Sequence, residues 1–265
     1  MESFLEIKLK AFLGKVGEQD KLHLQINFKN NALALPVQYN HLVQAAIYSA
    51  LPDDYARFLH DTGYHYKKRN FKMFSFSRFL GQYELNKKEN IFLFKNPFSL
   101  VVSSPSKEFC SYLLNGLVSS GYIYLGSQKA VIKNINTGEL KTDDKRVVLK
   151  TLSPVVAYST LFKENDSKHT CYFKPGEKEF ENVISQNLLN KYRAFYSCEN
   201  TENDKKVSVR VLDNPKYCRF NYKKIGIKGY LCTLELTGPN ELLQMGVDAG
   251  IGSKNSQGCG CVKVL

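Results

Sequence analysis

In the first half of the chain, apolar residues first recur at every second position, as in a strand, then at helical spacing, and then again at strand spacing. KLHLQINF, residues 21–28, alternates apolar and polar positions and predicts a strand. NHLVQAAIYSAL, residues 40–51, places apolar residues at helical spacing and predicts a helix that Pro52 ends. The pattern then predicts two paired strands, a helix and a strand. These segments are FKMFSFSRFLGQYEL, NIFLFKNPFSLVVS, residues 105–121 and YIYLGSQKAVIKNI.

The second half repeats this order after a polar stretch, residues 136–146, that has no apolar periodicity and is the best linker candidate. We predict a strand, a long amphipathic helix, two strands, a short helix and a final strand. Their segments are VVLKTLSPVVAYS, EKEFENVISQNLLNKYRAFY, KVSVRVL, GYLCTLELTG, PNELLQMGVDAG and CGCVKVL.

The repeated element order predicts an α+β fold of two tandem ferredoxin-like (RRM-like) βαββαβ domains. The predicted domains are residues 1–140 and 141–265, and residues 1–20 form an extension without a place in either unit. The repeat is one of element order, because the two halves share little residue similarity.

Charge narrows the expected partner. The 265 residues include 37 Lys and Arg against 25 Asp and Glu, a net charge of +12. Such a surplus attracts a polyanion through counterion release, so we expect a nucleic-acid partner. The N-terminus has acidic residues where a signal peptide would be basic, and no apolar run reaches the length of a membrane span. We therefore expect a cytoplasmic protein without a membrane partner.

The seven cysteines predict neither a disulfide framework nor a metal site. Their number is odd, and no CxxC pair occurs. The Cys259-x-Cys261 pair lacks a second pair at zinc-ligand spacing. We expect no metal and no cofactor.

Two stretches combine cations with aromatic residues, as RNA-binding surfaces do. YHYKKRNFK, residues 64–72, carries four basic residues, three aromatics and a histidine. The segment from Lys205 to Tyr230 carries eight basic residues and one acid, Asp213. Each stretch alone is also compatible with a solvated hairpin.

The last helix and strand are joined by GIGSKNSQGCG, residues 250–260, with two Gly-x-Gly pairs. The spacing fits neither GxGxxG nor a P-loop, since Asn255 occupies the third glycine position of the first motif. Glycines permit close approach of a polyanion to backbone N–H groups, so we expect RNA backbone contact here.

Gly-Ile-Gly-x5-Gly-Cys-Gly before a terminal strand resembles the glycine-rich signature of the RAMP superfamily, specifically the CRISPR-associated endoribonucleases that cut the repeat transcript into guide RNAs. Five further stretches are similar to the two domains of this family. They are VQYNHLVQAAIYSAL, KMFSFSRF, KTLSPVVAYS, EKEFENVISQNLLNKY and VDAGIGSKNSQGCGCVKV. The resemblance covers most of residues 21–265.

The resemblance implies metal-independent cleavage, in which a 2′-hydroxyl attacks the adjacent phosphate and leaves a 2′,3′-cyclic phosphate and a 5′-hydroxyl. This reaction needs a base, an acid and positive charge at the phosphorane. The family's Tyr, His, Lys set falls on Tyr48, His60 and Lys72.

The residues themselves allow this placement and leave alternatives. On a helical wheel His41, Gln44 and Tyr48 lie within about 60° of one another, opposite the apolar face. His41 is the main alternative histidine and His65 a weaker one. Because the insert before Lys72 is long, the cation could also come from Lys67, Lys68 or Arg69.

The RNA-binding residues implied by the loop, the basic stretches and the resemblance form one set. They are Gly250, Gly252, Lys254, Gly258, Gly260, Lys67, Lys68, Arg69, Arg219, Lys223 and Lys224. The expected partners are CRISPR repeat RNA, as precursor and as guide RNA, a CRISPR interference complex and a second copy of the chain. The alternative function is a non-catalytic CRISPR RNA-binding protein of the same fold.

Overall fold

The structure is a computed structural model that describes residues 23–142, 145–162, 168–198, 206–222 and 225–265. The predicted extension, residues 1–20, and two predicted RNA-binding residues, Lys223 and Lys224, lie outside the described residues. No helix in these ranges is long and apolar enough to cross a membrane.

The first half forms an antiparallel sheet with three helices. Its elements are β1 (His23–Phe28), β2 (Ala32–Pro36), α1 (Asn40–Ser49), α2 (Asp53–Asp61), β3 (Tyr64–Tyr66), β4 (Arg69–Phe71), β5 (Ser75–Phe76), β6 (Leu80–Asn86), β7 (Ile91–Ser103), α3 (Lys107–Ser120), β8 (Tyr122–Leu125) and β9 (Gln128–Gly138). The sheet order is β2-β7-β1-β9-β8, and β5 and β6 also pair with β7. Strands β3 and β4 form a separate hairpin.

The second half has a four-stranded sheet and two ribbons. Its elements are β10 (Arg146–Thr151), β11 (Tyr158–Phe162), β12 (Lys168–Tyr172), α4 (Lys178–Tyr196), β13 (Ser208–Val211), β14 (Lys216–Tyr222), β15 (Ile225–Leu231), β16 (Thr233–Thr237), α5 (Asn240–Ala249), a 3₁₀ turn (Asn255–Gln257) and β17 (Val262–Val264). The sheet order is β13-β16-β10-β17, while β11 pairs with β12 and β14 with β15. The described strand pairs of both halves are antiparallel.

The predicted helices all form, but several predicted single strands are divided. YIYLGSQKAVIKNI is a hairpin, β8 and β9, that turns at Gly126 with φ +66°. VVLKTLSPVVAYS separates into β10 and β11 on either side of Pro154, whose ring removes a backbone donor. Residues 71–85 contribute to β4, β5 and β6 in turn, and GYLCTLELTG is divided between β15 and β16. An apolar run alone does not show where a strand changes partners.

Each half buries its own apolar cluster. The first contains Phe28, Phe76 and Phe109, and the second Phe180 and Leu234, all at most 1% exposed. A smaller cluster joins the halves and contains Met73 from the first half with Ala194, Met245 and Ala249 from α4 and α5. This third cluster fixes the position of the β3–β4 hairpin beside α4, and the predicted site residues lie around that contact.

Candidate active site and nucleic-acid interface

His60 lies in the last turn of α2, a helix that begins with Asp53 and Asp54. Acidic residues at the start and a histidine at the end both suit the helix dipole. The His60 side chain is 79% exposed, and its Nδ1 lies 2.7 Å from Asp61 Oδ1. When Nδ1 carries the proton in that hydrogen bond, Nε2 is the free basic nitrogen and is open to solvent.

Tyr48 lies on the side of α1 that faces His60. Its ring meets the His60 ring edge-on at 6.4 Å between centroids and the buried Phe74 ring at 5.9 Å. Desolvation, with a smaller contribution from Tyr222, raises the pKa of Tyr48 to about 12. The phenol therefore keeps its proton at neutral pH and acts as a hydrogen-bond donor.

Lys72 follows β4, and its ammonium donates a hydrogen bond of 2.7 Å to the His60 carbonyl oxygen. The next residue, Met73, has φ +53° and turns its buried side chain into the cluster between the halves. Burial lowers the pKa of Lys72, and the Asp61 carboxylate opposes that shift. The structure thus places Tyr48, His60 and Lys72 next to one another.

A cleft of about 660 Å³ opens beside Lys72, between the two halves. Such a volume is in the range of small-ligand sites. The residues that line it come from β4 and the chain after it, from β11, from α4 and α5, and from the glycine-rich loop. They are Arg69, Asn70, Phe71, Lys72, Met73, Phe74, Tyr158, Ser159, Thr160, Asn187, Lys191, Ala249, Ser253, Lys254, Asn255, Ser256 and Gln257.

The four glycines of the loop are buried in the protein and have positive φ. A Cβ on Gly260 would lie 1.9 Å from the Ile251 carbonyl oxygen, and one on Gly258 would lie 2.6 Å from both the Phe76 ring and Asn40 Nδ2. The chain's own atoms therefore occupy the space that these glycines leave. Gly250 and Gly252 are packed in the same way, and contact of the four with RNA stays a prediction.

Two side chains of α1 hold the far side of the loop. Asn40 Nδ2 donates to the Gln257 carbonyl at 2.9 Å, and Gln44 Nε2 donates to the Ser256 carbonyl at 2.7 Å. Tyr222 at the end of β14 donates to Gln44 Oε1. The helix face predicted to point away from the core thus contacts the second half.

Lys191 on α4 holds the near side of the loop, a role that the sequence did not reveal. Its Nζ donates to the Gly250 and Gly252 carbonyls at 2.6 and 3.2 Å. The side chain is 2% exposed, and desolvation lowers its pKa to about 7. One signal in the sequence could have indicated this role, because Lys191 lies among apolar residues of a predicted helix. Lysines are almost never fully buried unless they have a partner.

Lys254 is the charged residue of the loop and lines the cleft. It has φ +63°, and its Nζ lies 5.4 Å from the centroid of the Tyr158 ring. The backbone turn and the ring together direct the ammonium toward the cleft, a geometry that suits a phosphate contact.

The first basic stretch forms the β3–β4 hairpin, with Lys67 and Lys68 at its exposed turn and Arg69 at the cleft. Two aromatics of this stretch are half-buried against the second half. Tyr64 lies 5.2 Å from Phe195 between ring centroids, and Tyr66 accepts a 3.0 Å hydrogen bond from Arg193. The third, Phe71, lines the cleft, so this packing leaves the expected RNA-stacking role to Phe71.

The second basic stretch forms the β14–β15 ribbon. Arg219 is exposed and lies opposite Lys228, next to the pair formed by Tyr217 and Tyr230, whose ring centroids are 5.6 Å apart. Alternation along β14 puts Tyr217 and Arg219 on the same exposed face. Cations beside aromatic rings are suited to single-stranded RNA.

The alternative histidines lie on the β3–β4 hairpin and at the start of α1. His65 is exposed on the β3–β4 hairpin, with its Nδ1 2.7 Å from Asn70 Oδ1. His41 is in the first turn of α1, seven residues before Tyr48 and so about 10 Å away along the helix axis.

The cysteines and acidic residues form no metal site within the described ranges, where no group of three potential ligands occurs. Burial raises the pKa of the Cys259 and Cys261 thiols to about 12.

Comparison with known proteins gives two family matches that meet end to end. A family described as CRISPR-associated protein Cas6, N-terminal, matches residues 34–136, and one described as CRISPR associated protein Cas6, C-terminal, matches residues 137–264. The chain is 28% identical over 254 residues to CRISPR-associated endoribonuclease Cas6 1 of Methanocaldococcus jannaschii, covering 92% of each chain.

Two solved structures share the fold. One is of a Cas6-related protein from Pyrococcus furiosus, with a TM-score of 0.78 and 21% identity, and covers 93% of this chain and 98% of its own. The other is described as a RAMP protein binding different RNA substrates, with a TM-score of 0.75 and 21% identity, and covers 93% and 99%. The chain belongs to the Cas6 family of CRISPR-associated endoribonucleases in the RAMP superfamily.

Proposed function

We propose that the protein is a metal-independent endoribonuclease that binds CRISPR repeat RNA and cleaves the precursor transcript into guide RNAs. The observation that carries this proposal is that His60 meets the Tyr48 ring and accepts a backbone hydrogen bond from Lys72, which lines a cleft together with Arg69 and Lys254. Groups that can move protons thus lie beside cations that can hold a phosphate.

His60 acts as the base in this proposal. Its Nε2 takes the proton of the 2′-hydroxyl, whose oxygen forms a bond to the adjacent phosphorus. Asp61, 2.7 Å from Nδ1, holds the ring in the required tautomer and stabilises the imidazolium that results. The histidine is accessible enough to meet an RNA chain, since its side chain is 79% exposed.

Tyr48 acts on the leaving 5′-oxygen and Lys72 on the non-bridging oxygens of the phosphate. The Tyr48 phenol, protonated at neutral pH because its pKa is raised to about 12, donates to the leaving 5′-oxygen as the P–O5′ bond breaks. The Lys72 ammonium donates one of its three N–H groups to the His60 carbonyl and has two others that can bind the non-bridging oxygens. The products are a 2′,3′-cyclic phosphate and a 5′-hydroxyl.

The two halves are proposed to be tandem ferredoxin-like domains, residues 1–140 and 141–265. The order β13-β16-β10-β17, with α4 after β10 and α5 after β16, supports this description of the second domain. RNA binds in the cleft and along the exposed face of the β14–β15 ribbon, which bears Arg219. Lys67, Lys68 and Arg69 contact its backbone. The protein also delivers the guide RNA to a CRISPR interference complex and forms a homodimer in this proposal.

The test is cleavage of end-labelled repeat RNA by the purified protein in excess EDTA. We expect cleavage at one position, a terminal cyclic phosphate on the upstream product, and no cleavage when the 2′-hydroxyl upstream of the cut is replaced by hydrogen. Activity that disappears with EDTA and returns with Mg²⁺ would contradict the mechanism. Tight binding without any product would instead identify a non-catalytic CRISPR RNA-binding protein.

A further inference from the structure

The cleft contains a buried amide group with an unused acceptor. Asn187 on α4 is 3% exposed, lines the cleft, and its Oδ1 has no hydrogen-bond partner among the described residues. Gln257, from the loop on another wall of the cleft, has an Oε1 in the same condition within those residues. Buried polar atoms normally find partners, so each exception calls for an explanation.

Neighbouring residues on the same helix show that this is a local feature. Asn190 Oδ1 accepts a 2.9 Å hydrogen bond from Gln186, and Lys191, one turn from Asn187, donates to two loop carbonyls. These two neighbouring polar side chains of α4 therefore have hydrogen-bond partners, unlike Asn187 Oδ1. Because Asn187 lines the cleft, its unpaired acceptor lies beside the space in which a ligand that brings a donor would bind.

The surroundings of the two acceptors suit a nucleotide. Phe71, Phe74 and Ala249 supply apolar walls for a base, while the cations Arg69 and Lys254 suit its phosphate. An exocyclic amine offers two N–H donors, as on adenine N6 and cytosine N4. Uracil has one ring N–H and no amine, so it offers fewer donors to unpaired acceptors.

We propose that Asn187, with Gln257, forms a base-specificity pocket that selects a nucleotide bearing an exocyclic amine over uridine. This inference rests on the proposed function, since it assumes that RNA occupies the cleft. It assigns to α4 and the glycine-rich loop a share in reading sequence, in addition to holding the cleft open.

The experiment is selection from a random 12-nucleotide RNA pool by the full-length His60→Ala protein, followed by sequencing of the retained RNA. We expect one position at which uridine is depleted about 5-fold or more. Adding Asn187→Ala should reduce that preference to less than about 2-fold, because the acceptor is lost. A 2′-deoxy version of the selected oligonucleotide should keep the preference, since the donor is on the base and not on the ribose.

Stability separates this role from a structural one. Removing an unpartnered buried amide and replacing it with the best helix former should leave the melting temperature of Asn187→Ala equal or higher. Asn115→Ala is the matched control. Asn115 also has a buried Oδ1 without a partner among the described residues, but it does not line the cleft. This variant should keep the full base preference.

The proposal is overturned by uridine enrichment at that position, by absence of any preference, by an unchanged preference in Asn187→Ala, or by a lower melting temperature of that variant. A preference that is lost in the 2′-deoxy oligonucleotide would assign the donor to the ribose and also overturn it. If wild-type protein fails to cut repeat RNA, the proposed function fails, while the pool selection still reports on base preference.

Discussion

The glycine-rich loop and the segment around His60 differ in their exposure to solvent. The four loop glycines are buried against the protein's own atoms, and the loop is held by Asn40, Gln44 and Lys191. The His60 side chain is 79% exposed and bonded to the adjacent Asp61. Both regions border the same cleft, which Lys254 lines from the loop and Lys72 from the side of His60.

Under the proposed function, this difference separates residues that shape the cleft from residues that do chemistry beside it. Substitutions in the loop should act first on folding stability, because its residues are packed on several sides. Substitutions at His60 should act on chemistry with little effect on folding.

The largest expected effect is that of Gly260→Ala. The new Cβ would lie 1.9 Å from the Ile251 carbonyl oxygen at a residue with φ +68°, so overpacking and left-handed strain add. We expect the free energy of unfolding to fall by about 3 kcal/mol or more, measured by denaturant titration.

Gly121→Ala is the control for backbone strain alone. Gly121 follows α3 with φ +71°, and no atom lies within 4 Å of the position of its Cβ. Its substitution should cost about 1 kcal/mol. Equal losses in the two variants would show that the loop is not tightly packed.

A second prediction concerns pH and the buried Lys191. Burial lowers its pKa in the folded protein to about 7, from 10.5 in an unfolded chain. Between these values the unfolded chain binds the extra proton, so raising the pH disfavours unfolding. Relative to Lys191→Met, wild-type protein should gain stability between pH 7 and pH 10, on the order of 1 kcal/mol per pH unit at most.

Chemical denaturation of the two proteins at several pH values measures this gain. Lys254→Met removes a partly buried lysine from the same cleft and is the matched control, which should follow the wild-type profile. A constant difference between wild type and Lys191→Met across this range would contradict the linkage between the buried amine and loop stability.

The smallest expected effect is that of Lys254→Ala on RNA binding. Losing one phosphate contact should weaken binding by a few-fold and reduce the slope of log K against log salt by about 0.7. Lys95→Ala removes a lysine that pairs with Glu84 away from the cleft and should change neither quantity. Filter binding at several salt concentrations distinguishes the two, and identical slopes would remove Lys254 from the RNA contact.

Hydrophobic periodicity predicted four of the five helices of the described chain, because each of these four has an apolar face and clear end signals, and it did not predict α2. It did not separate β8 from β9 or β10 from β11, since strand breaks depend on which partner each segment finds. The relation of Tyr48 to His60 and Lys72 came from a resemblance to a family, and the structure brings these three together.

The role of the glycines was harder to predict. A Gly-x-Gly pair indicates positive φ or close approach, but the sequence does not say whether RNA or protein makes that approach. Lys191, Asn187 and Gln44 were missed for a related reason. Lys191 and Gln44 hold a loop that lies 59 and 212 residues away along the chain, and Asn187 lines a cleft whose other walls come from distant segments.

The central claim is tested most directly by the single-turnover cleavage rate of His60→Ala at saturating repeat RNA. We expect a loss of at least about 10²-fold with an unchanged free energy of unfolding, while His65→Ala keeps a rate within about 3-fold of wild type. A near-normal rate for His60→Ala, or a loss confined to His41→Ala, would contradict the assignment of the chemistry to the exposed segment.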